Sequence, residues 1–111
     1  MRGAIFGKTR KSAEAKLQKI ISDYEFYEIA SVVTKTFTKN HCEVTFSNGD
    51  YWRTFHPAQS ARGYRFNVVY IDAALVENND ALEYAQCAAC APPYQAIRFY
   101  YYGQDWLEDV E

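Results

Sequence analysis

The stretch "ARGYRFNVVYIDAA", residues 61–74, contains the apolar run that decides the fold. Within it, residues 64–71 are almost continuously apolar, a pattern typical of a central strand that is buried on both faces of a sheet. Asp72 follows directly, where the predicted strand ends. The residue is either a carboxylate that holds a magnesium ion or only the polar end of a buried strand.

One helix is predicted before this run. The segment "TRKSAEAKLQKIISDY", residues 9–24, has apolar residues at helical spacing. Thr9 is the expected N-cap, because its hydroxyl can accept a hydrogen bond from an amide of the first turn. The apolar stripe consists of Ala13, Leu17, Ile20, Ile21 and Tyr24.

Four shorter stretches predict strands. They are residues 4–7, 29–38, 41–46 and 50–55. Between the last two lies Asn48-Gly49, a pair that accepts positive φ at both central positions of a type I′ turn. The sequence therefore predicts a tight hairpin at this point.

After the apolar run the chain predicts a loop, a helix and a last strand. Asn78 or Asn79 would cap a helix over residues 80–91, which the two following prolines end. The last strand is expected over residues 95–102, "QAIRFYYY", and a glycine ends it.

Together these elements predict a single domain over residues 1–111. The expected class is α/β or α+β, with a mixed β-sheet of about five to six strands, a central hairpin and two helices packed on the sheet. The composition, 49% hydrophobic and 23% charged residues, is ordinary for a globular domain. No apolar run approaches the ~20 residues needed to cross a bilayer, and no signal peptide is apparent, so we expect a cytoplasmic location without membrane contact.

Charge is distributed unevenly along the chain, although the net charge is only −2. Residues 1–20 carry six basic side chains and one acidic one, whereas residues 77–111 carry seven acidic side chains and one arginine. The basic end is expected to suit an anionic partner and the acidic end a cationic one. If the two ends only solvate the protein, neither carries a site.

A resemblance to a known family becomes usable at the opening segment. The stretch "FSNGDYWRTFHPAQSARGYRFNVVYIDAALVE", residues 46–77, resembles the segment that leads into the Walker B strand of phage terminase large subunits. These are the P-loop ATPases that package viral DNA. The matching positions are Asn48, Gly49, Ser60, Ala61, Arg62, Gly63, residues 66–71 and Asp72. The resemblance implies a protein of phage or prophage origin with part of a terminase-like sheet.

Two departures from the family pattern concern the ATPase chemistry. In the family, the aspartate orders magnesium and the glutamate that follows it polarises the attacking water, but here Ala73 follows Asp72. A P-loop requires G-x-x-x-x-G-K-[ST], whereas this chain has Gly3 and then Gly7-Lys8-Thr9, which is one residue short. We therefore expect no ATP hydrolysis, no other enzymatic activity and no cofactor.

The three cysteines leave one alternative open. Cys87 and Cys90 have C-x-x-C spacing, and His41, Cys42 or His56 could complete the four ligands of a zinc site. Because the pair lies in an alanine-rich segment that predicts a helix, we expect small buried thiols and no metal.

Two groups of residues are candidate binding sites. The expected partner-binding residues are Tyr100, Tyr101, Tyr102, Asp105, Trp106, Glu108 and Asp109, because tyrosine and tryptophan anchor interfaces and carboxylates can mimic phosphates. The candidate phosphate-binding residues are Lys8, Arg10, Lys11, Arg62 and Arg65.

These features favour a non-enzymatic binding protein. The leading hypothesis is a phage or prophage protein in the host cytoplasm that inhibits a host defence system such as CRISPR by binding a host protein, for example a nucleic-acid-binding effector. One alternative is a fragment or accessory domain of a DNA-packaging ATPase. Another alternative is a module that binds nucleotides or nucleic acid. Association of the chain with further copies of itself is a possible partner interaction in each case.

Overall fold

The computed structural model describes residues 1–90 and 96–103 of the chain. The strands are β1 (Arg2–Phe6), β2 (Val32–Phe37), β3 (Cys42–Phe46), β4 (Tyr51–Phe55), β5 (Arg65–Phe66), β6 (Val68–Asp72), β7 (Ala89–Cys90) and β8 (Arg98–Tyr102). The helices are α1 (Arg10–Phe26) and α2 (Asn79–Ala85), and a 3₁₀ turn covers Ala73–Leu75.

Six of these strands form one mixed sheet, in the order β2-β3-β4-β1-β6-β8. Strand β1 is parallel to β4 and to β6, and β6 is parallel to β8. The hairpin strand β3 is antiparallel to both of its neighbours, and β5 and β7 form a separate small parallel sheet. The predicted α/β class with a mixed sheet and two helices is confirmed. The four parallel strands end at the same side of the sheet, which we call the carboxyl edge.

Helix α1 covers one face of the sheet, as its apolar stripe predicts. Thr9 is the N-cap, and its hydroxyl accepts a hydrogen bond from the backbone N–H of Ser12. The buried side of the helix packs against Val44, Phe46 and Trp52. The predicted alternation in β3 is also confirmed, because its three apolar side chains face this helix.

Helix α2 covers the opposite face, so the sheet is buried on both sides at its centre. Phe6 of β1 stacks on Phe55 of β4 with 4.7 Å between ring centroids. Phe66 and Val69 extend this second core toward α2. Alternate residues of β1 and β6 therefore supply both cores, which explains the near-continuous apolar run of β6.

The predicted strand over residues 64–71 is wrong in one respect, because it is two strands that meet at Asn67. The buried Asn67 side chain accepts a hydrogen bond from the backbone N–H of Arg2, at 2.7 Å. Its backbone N–H donates to the Arg2 carbonyl oxygen, and its carbonyl oxygen accepts from the N–H of Arg98. Asn67 thus links the beginnings of β1 and β8, and β6 starts after it.

The predicted helix over residues 80–91 is too long. Asn78 is its N-cap, as expected, but α2 ends at Ala85. The N–H of Ala89 donates to the carbonyl oxygen of Tyr64, and β7 then pairs with β5. This pairing with a distant segment overrides the helical preference of the alanines. Cys87 and Cys90 are therefore not on one helix face, and no group of three potential metal ligands occurs within residues 1–90 and 96–103.

The hairpin between β3 and β4 is confirmed, but its turn is not type I′. Only Gly49 has a positive φ, of 91°, and Asn48 does not share it. The N–H of Phe46 donates to the Asp50 carbonyl oxygen, and the N–H of Gly49 donates to the carbonyl oxygen of Phe46. The loop therefore has three residues and ends in a positive-φ glycine.

The last strand, β8, begins at Arg98 and ends at Tyr102, inside the predicted range. It forms one edge of the sheet, and β2 forms the other. Among the described residues, no helix is long and apolar enough to cross a membrane.

Helix α1 ends in a Schellman motif whose left-handed residue is not glycine. The N–H of Ile29 donates to the Tyr24 carbonyl oxygen, and the N–H of Glu28 donates to that of Glu25. Glu28 has a φ of 54°, in the region where glycine is usual. A glutamate in this conformation is strained by its Cβ.

We predict that Glu28→Gly stabilises the protein by ~1 kcal/mol, because glycine adopts this conformation without that strain. The measurement is urea unfolding of the variant and the parent protein. The control is Glu25→Gly in the last turn of α1, which should lower the free energy of unfolding by about 0.5–1 kcal/mol. An equal loss in both variants would contradict the assigned helix end.

Candidate functional site

The point where the chain connections change from one face of the sheet to the other lies at the carboxyl edge, between β1 and β6. After β1 the chain turns to α1 on one face of the sheet, and after β6 it turns to α2 on the other face. Neighbouring parallel strands whose connections leave to opposite faces mark the usual ligand position in α/β sheets. Asp72 ends β6 at this point, and the short loop Gly7-Lys8-Thr9 follows β1.

Asp72 is buried, and its carboxylate connects β6 to the loop after β1 and to the first turn of α1. One oxygen, Oδ2, accepts hydrogen bonds from the backbone N–H of Lys8 at 3.0 Å and from the hydroxyl of Ser12 at 2.5 Å. The other oxygen, Oδ1, accepts from the N–H of Ala74 at 3.0 Å and so caps the 3₁₀ turn. The carboxylate therefore bonds to three donors from its own chain.

The loop after β1 is held close to α1. A Cβ atom at Gly7 would lie 2.6 Å from the backbone nitrogen of Ala13, so only glycine fits there without displacement. This close approach directs the Lys8 N–H toward Asp72.

The segment that resembles a short P-loop is a strand for most of its length. Gly3, Ile5 and Phe6 are buried in β1. A Cβ atom at Gly3 would overlap the ring of Trp52. These residues are therefore packed in the sheet, where their amides pair with β4 and β6 and cannot wrap a phosphate group.

Tyr102 lies beside this cluster on the last strand. Its phenol oxygen is 3.3 Å from the hydroxyl oxygen of Ser12. Burial raises the pKa of Tyr102 to about 12, and the nearby charge of Asp72 acts in the same direction. The Lys16 ammonium lies over the ring of Tyr70 at 4.3 Å from its centroid, and burial lowers the pKa of this lysine. A half-buried aromatic wall thus borders the carboxylate on the α1 side.

A wider cleft opens on the α2 side of the same edge, and sequence reasoning missed it. Its volume is about 740 Å³, and Lys8, Pro57 and Leu75 are among its lining residues. Glu77 and Asp80 contribute carboxylates to it. The only sequence signal was the placement of charged residues directly after two parallel strands.

The candidate phosphate-binding residues do not form one patch. Lys8, Arg10 and Lys11 lie together at the start of α1, where Arg10 pairs with Glu14. Arg62 is in the exposed loop after β4. Arg65 is in β5, before the start of β6, and its carbonyl oxygen accepts a hydrogen bond from the Arg2 side chain. Arg65 therefore lies where the parallel strands begin, whereas Lys8, Arg10 and Lys11 lie at the carboxyl edge, where these strands end.

The candidate partner-binding residues are only in part described by the structure. Tyr100 and Tyr101 are exposed on β8, whereas Tyr102 is half-buried. Phe99 is also exposed on this strand. The remaining candidates, Asp105, Trp106, Glu108 and Asp109, lie outside the described residues.

Comparison with known proteins gives one informative likeness. No protein-family model and no curated protein matches the chain. Among solved structures, the large terminase from a thermophilic bacteriophage matches with a TM-score of 0.50 and 15% sequence identity. The match covers 90% of this chain and 25% of the terminase chain. The chain has a terminase-like fold. It spans about a quarter of the length of that terminase chain.

We predict that Asp72→Ala lowers the free energy of unfolding by about 2–4 kcal/mol, since three donors lose a charged acceptor inside the protein. Urea unfolding without added metal measures the effect. Ser12→Ala, which removes one of the three donors, should cost ~1 kcal/mol. If Asp72 served only to hold magnesium, its replacement would leave the metal-free protein equally stable, and that result would contradict the structural role.

Proposed function

We propose that this protein is a non-enzymatic binding protein built on a terminase-like fold, and that it binds a protein partner through β8. The observation that carries the proposal is the aromatic surface of this edge strand. Within the part of the chain that the structure describes, β6 pairs with one side of β8 and no strand pairs with the other.

Strand β8 exposes large side chains on both of its faces. Tyr100 lies opposite Tyr70 on the α1 face, with ring centroids 5.7 Å apart, and remains 44% exposed. Phe99 and Tyr101, on the other face, are 42% and 51% exposed. Free backbone groups at a sheet edge can pair with a strand of another protein, and aromatic side chains anchor such contacts. The strand thus combines two features of a protein-binding site.

The non-enzymatic part of the proposal rests on the chemistry around Asp72. We interpret the β6 end as a degenerate Walker B segment, in which the aspartate is retained and Ala73 replaces the catalytic carboxylate. The Asp72 carboxylate is already bonded to the chain's own donors, including the Lys8 amide. Support also comes from residues 3–6, which form a buried strand where a P-loop would need a flexible loop.

A narrower form of the proposal concerns the partner. We propose a phage or prophage protein that inhibits a host defence system, with a nucleic-acid-binding effector such as a CRISPR nuclease as the target. Support comes from the four acidic residues that follow β8 in sequence, since carboxylates can occupy a groove that normally holds phosphates.

The test measures binding to a purified, guide-loaded CRISPR effector by calorimetry. We expect the combined change Asp105→Asn, Glu108→Gln and Asp109→Asn to weaken binding about tenfold or more, with a strong dependence on salt. The pair Tyr100→Ser and Tyr101→Ser should weaken it similarly through lost anchors.

The matched control neutralises Glu77, Asp80 and Glu83 together, which changes the net charge by the same amount at another surface. Val76→Ser is the control for the tyrosine pair, because it removes an exposed apolar side chain at another surface. Equal effects of test and control variants would remove β8 and the acidic residues from the proposal. No binding to the effector by the parent protein would end the narrower form alone.

A second candidate function is a fragment or accessory domain of a DNA-packaging ATPase. The observation that favours it is the match of nearly the whole chain to a quarter of a large terminase. The assay adds the protein to packaging ATPase subunits and measures ATP turnover. In that case Asp72→Ala must abolish the added turnover while Ser60→Ala, in the exposed loop, leaves it unchanged. Absence of any added turnover would reject this candidate.

A further inference from the structure

We propose a second binding site, in the groove between the end of α1 and the start of β2, for an extended segment of a partner protein that carries both basic and apolar side chains. We call it the α1/β2 groove. Its volume is about 440 Å³, and its lining includes Ile21, Tyr24, Glu25, Glu28, Val32 and Phe46. The groove lies at the β2 edge of the sheet, opposite β8, and is independent of the proposed function.

The first observation is an exposed apolar surface around the groove. Phe26 and Tyr27 are 78% and 67% exposed and contact each other edge to face, with 4.9 Å between ring centroids. Ile29 and Val33, which follow in the chain, are also exposed. Scattered apolar side chains are ordinary on a protein surface, but these four fall within residues 26–33, the same stretch of chain that carries the lining residues Glu28 and Val32, and such a concentration is typical of interaction sites.

The second observation is the charge at the rim. Glu25 and Glu28 line the groove, and neither side chain forms a hydrogen bond or ion pair with the residues that the structure describes. The Schellman motif holds Glu28 at this place in a left-handed conformation. Two carboxylates without a cation beside an apolar wall are complementary to a segment with lysine or arginine next to apolar residues.

The same charge argues against other occupants. Anionic lipid headgroups and nucleic-acid phosphates would be repelled by the two carboxylates. A second copy of this chain, bound through the same surface by a two-fold axis, would bring Glu25 and Glu28 near their own counterparts. A basic segment of a different protein neutralises the carboxylates and covers the apolar surface.

The edge strand favours an extended conformation for this segment. Strand β2 pairs with β3 on one side, and no described strand pairs with its outer side. Its residues are exposed on both faces except at the end, so an added strand would meet little steric hindrance. Backbone pairing gives such a segment affinity, while alternate side chains reach the groove and give specificity.

The experiment uses a capped synthetic peptide of about six residues, the common length of a strand, in which lysine and valine alternate. A second peptide has glutamate in place of lysine. Backbone amide chemical shifts of the full chain report binding. We expect the lysine peptide to shift the signals of Ile21, Ser31 and Ser47 at the groove, and the glutamate peptide to bind at least about fivefold more weakly.

Variants separate the charge from the apolar contact. The pair Glu25→Gln and Glu28→Gln should weaken binding of the lysine peptide about five- to tenfold, whereas Glu77→Gln with Glu83→Gln should leave it unchanged. Val32→Ser should weaken binding, and Val76→Ser, at a residue of similar exposure outside the groove, should not.

Three results would overturn the proposal. The first is equal binding of the lysine and glutamate peptides, and the second is a set of shifted signals outside the groove. The third is occupation of the α1/β2 groove by another partner. This would be seen as self-association of the parent chain that Val32→Ser abolishes, or as binding to zwitterionic vesicles that prevents binding of the peptide. Loss of effector binding in the β8 variants bears only on the proposed function.

Discussion

The hydrogen bonds of the Asp72 carboxylate hold together the part of the structure where three segments meet. The carboxylate ends β6, accepts the Lys8 N–H from the loop after β1, and accepts the Ser12 hydroxyl from the first turn of α1. A buried charge is stable only when such donors surround it, because desolvation otherwise disfavours the ionised form. The beginning of α1 and the end of β6 are therefore fixed relative to each other, and the close packing at Gly7 depends on that position.

The same bonds limit the chemistry available at the carboxyl edge. In parallel sheets this edge is where ligands usually bind, and here its central carboxylate and its nearest loop amide are bonded to each other. A ligand at this point would have to displace a charged hydrogen bond of the protein before gaining its own. Among the described residues, open surfaces include the cleft on the α2 side, which contains Lys8, and the two outer strands of the sheet.

The sequence predicted those features that depend on local pattern. The N-cap Thr9, the apolar stripe of α1 and the alternation in β3 each follow from a few neighbouring residues, and each is confirmed. Two of the wrong predictions have distant causes. Asn67 divides an apolar run because it bonds to Arg2, and the alanine-rich helix is short because β7 pairs with β5. Neither partner can be identified from the local pattern of apolar residues.

The candidate site shows the same division between local features, which were predictable, and distant contacts, which were not. The position of Asp72 at the end of a buried strand was predictable, but its partners were not, since Ser12 is separated from it by 60 positions along the chain.

The two edges of the sheet differ in chemistry, and this difference follows from how the chain is arranged. At one edge, β8 exposes aromatic rings next to the pairing positions of a parallel sheet, and acidic residues follow it in sequence. At the other edge, the strained end of α1 places carboxylates beside apolar residues of β2. The cores lie mainly on the central strands, and each outer strand adds one partly buried side chain on the α1 face, Phe37 from β2 and Tyr102 from β8. Their other side chains are largely exposed, and aromatic residues such as those of β8 are the ones through which protein interfaces typically gain binding free energy.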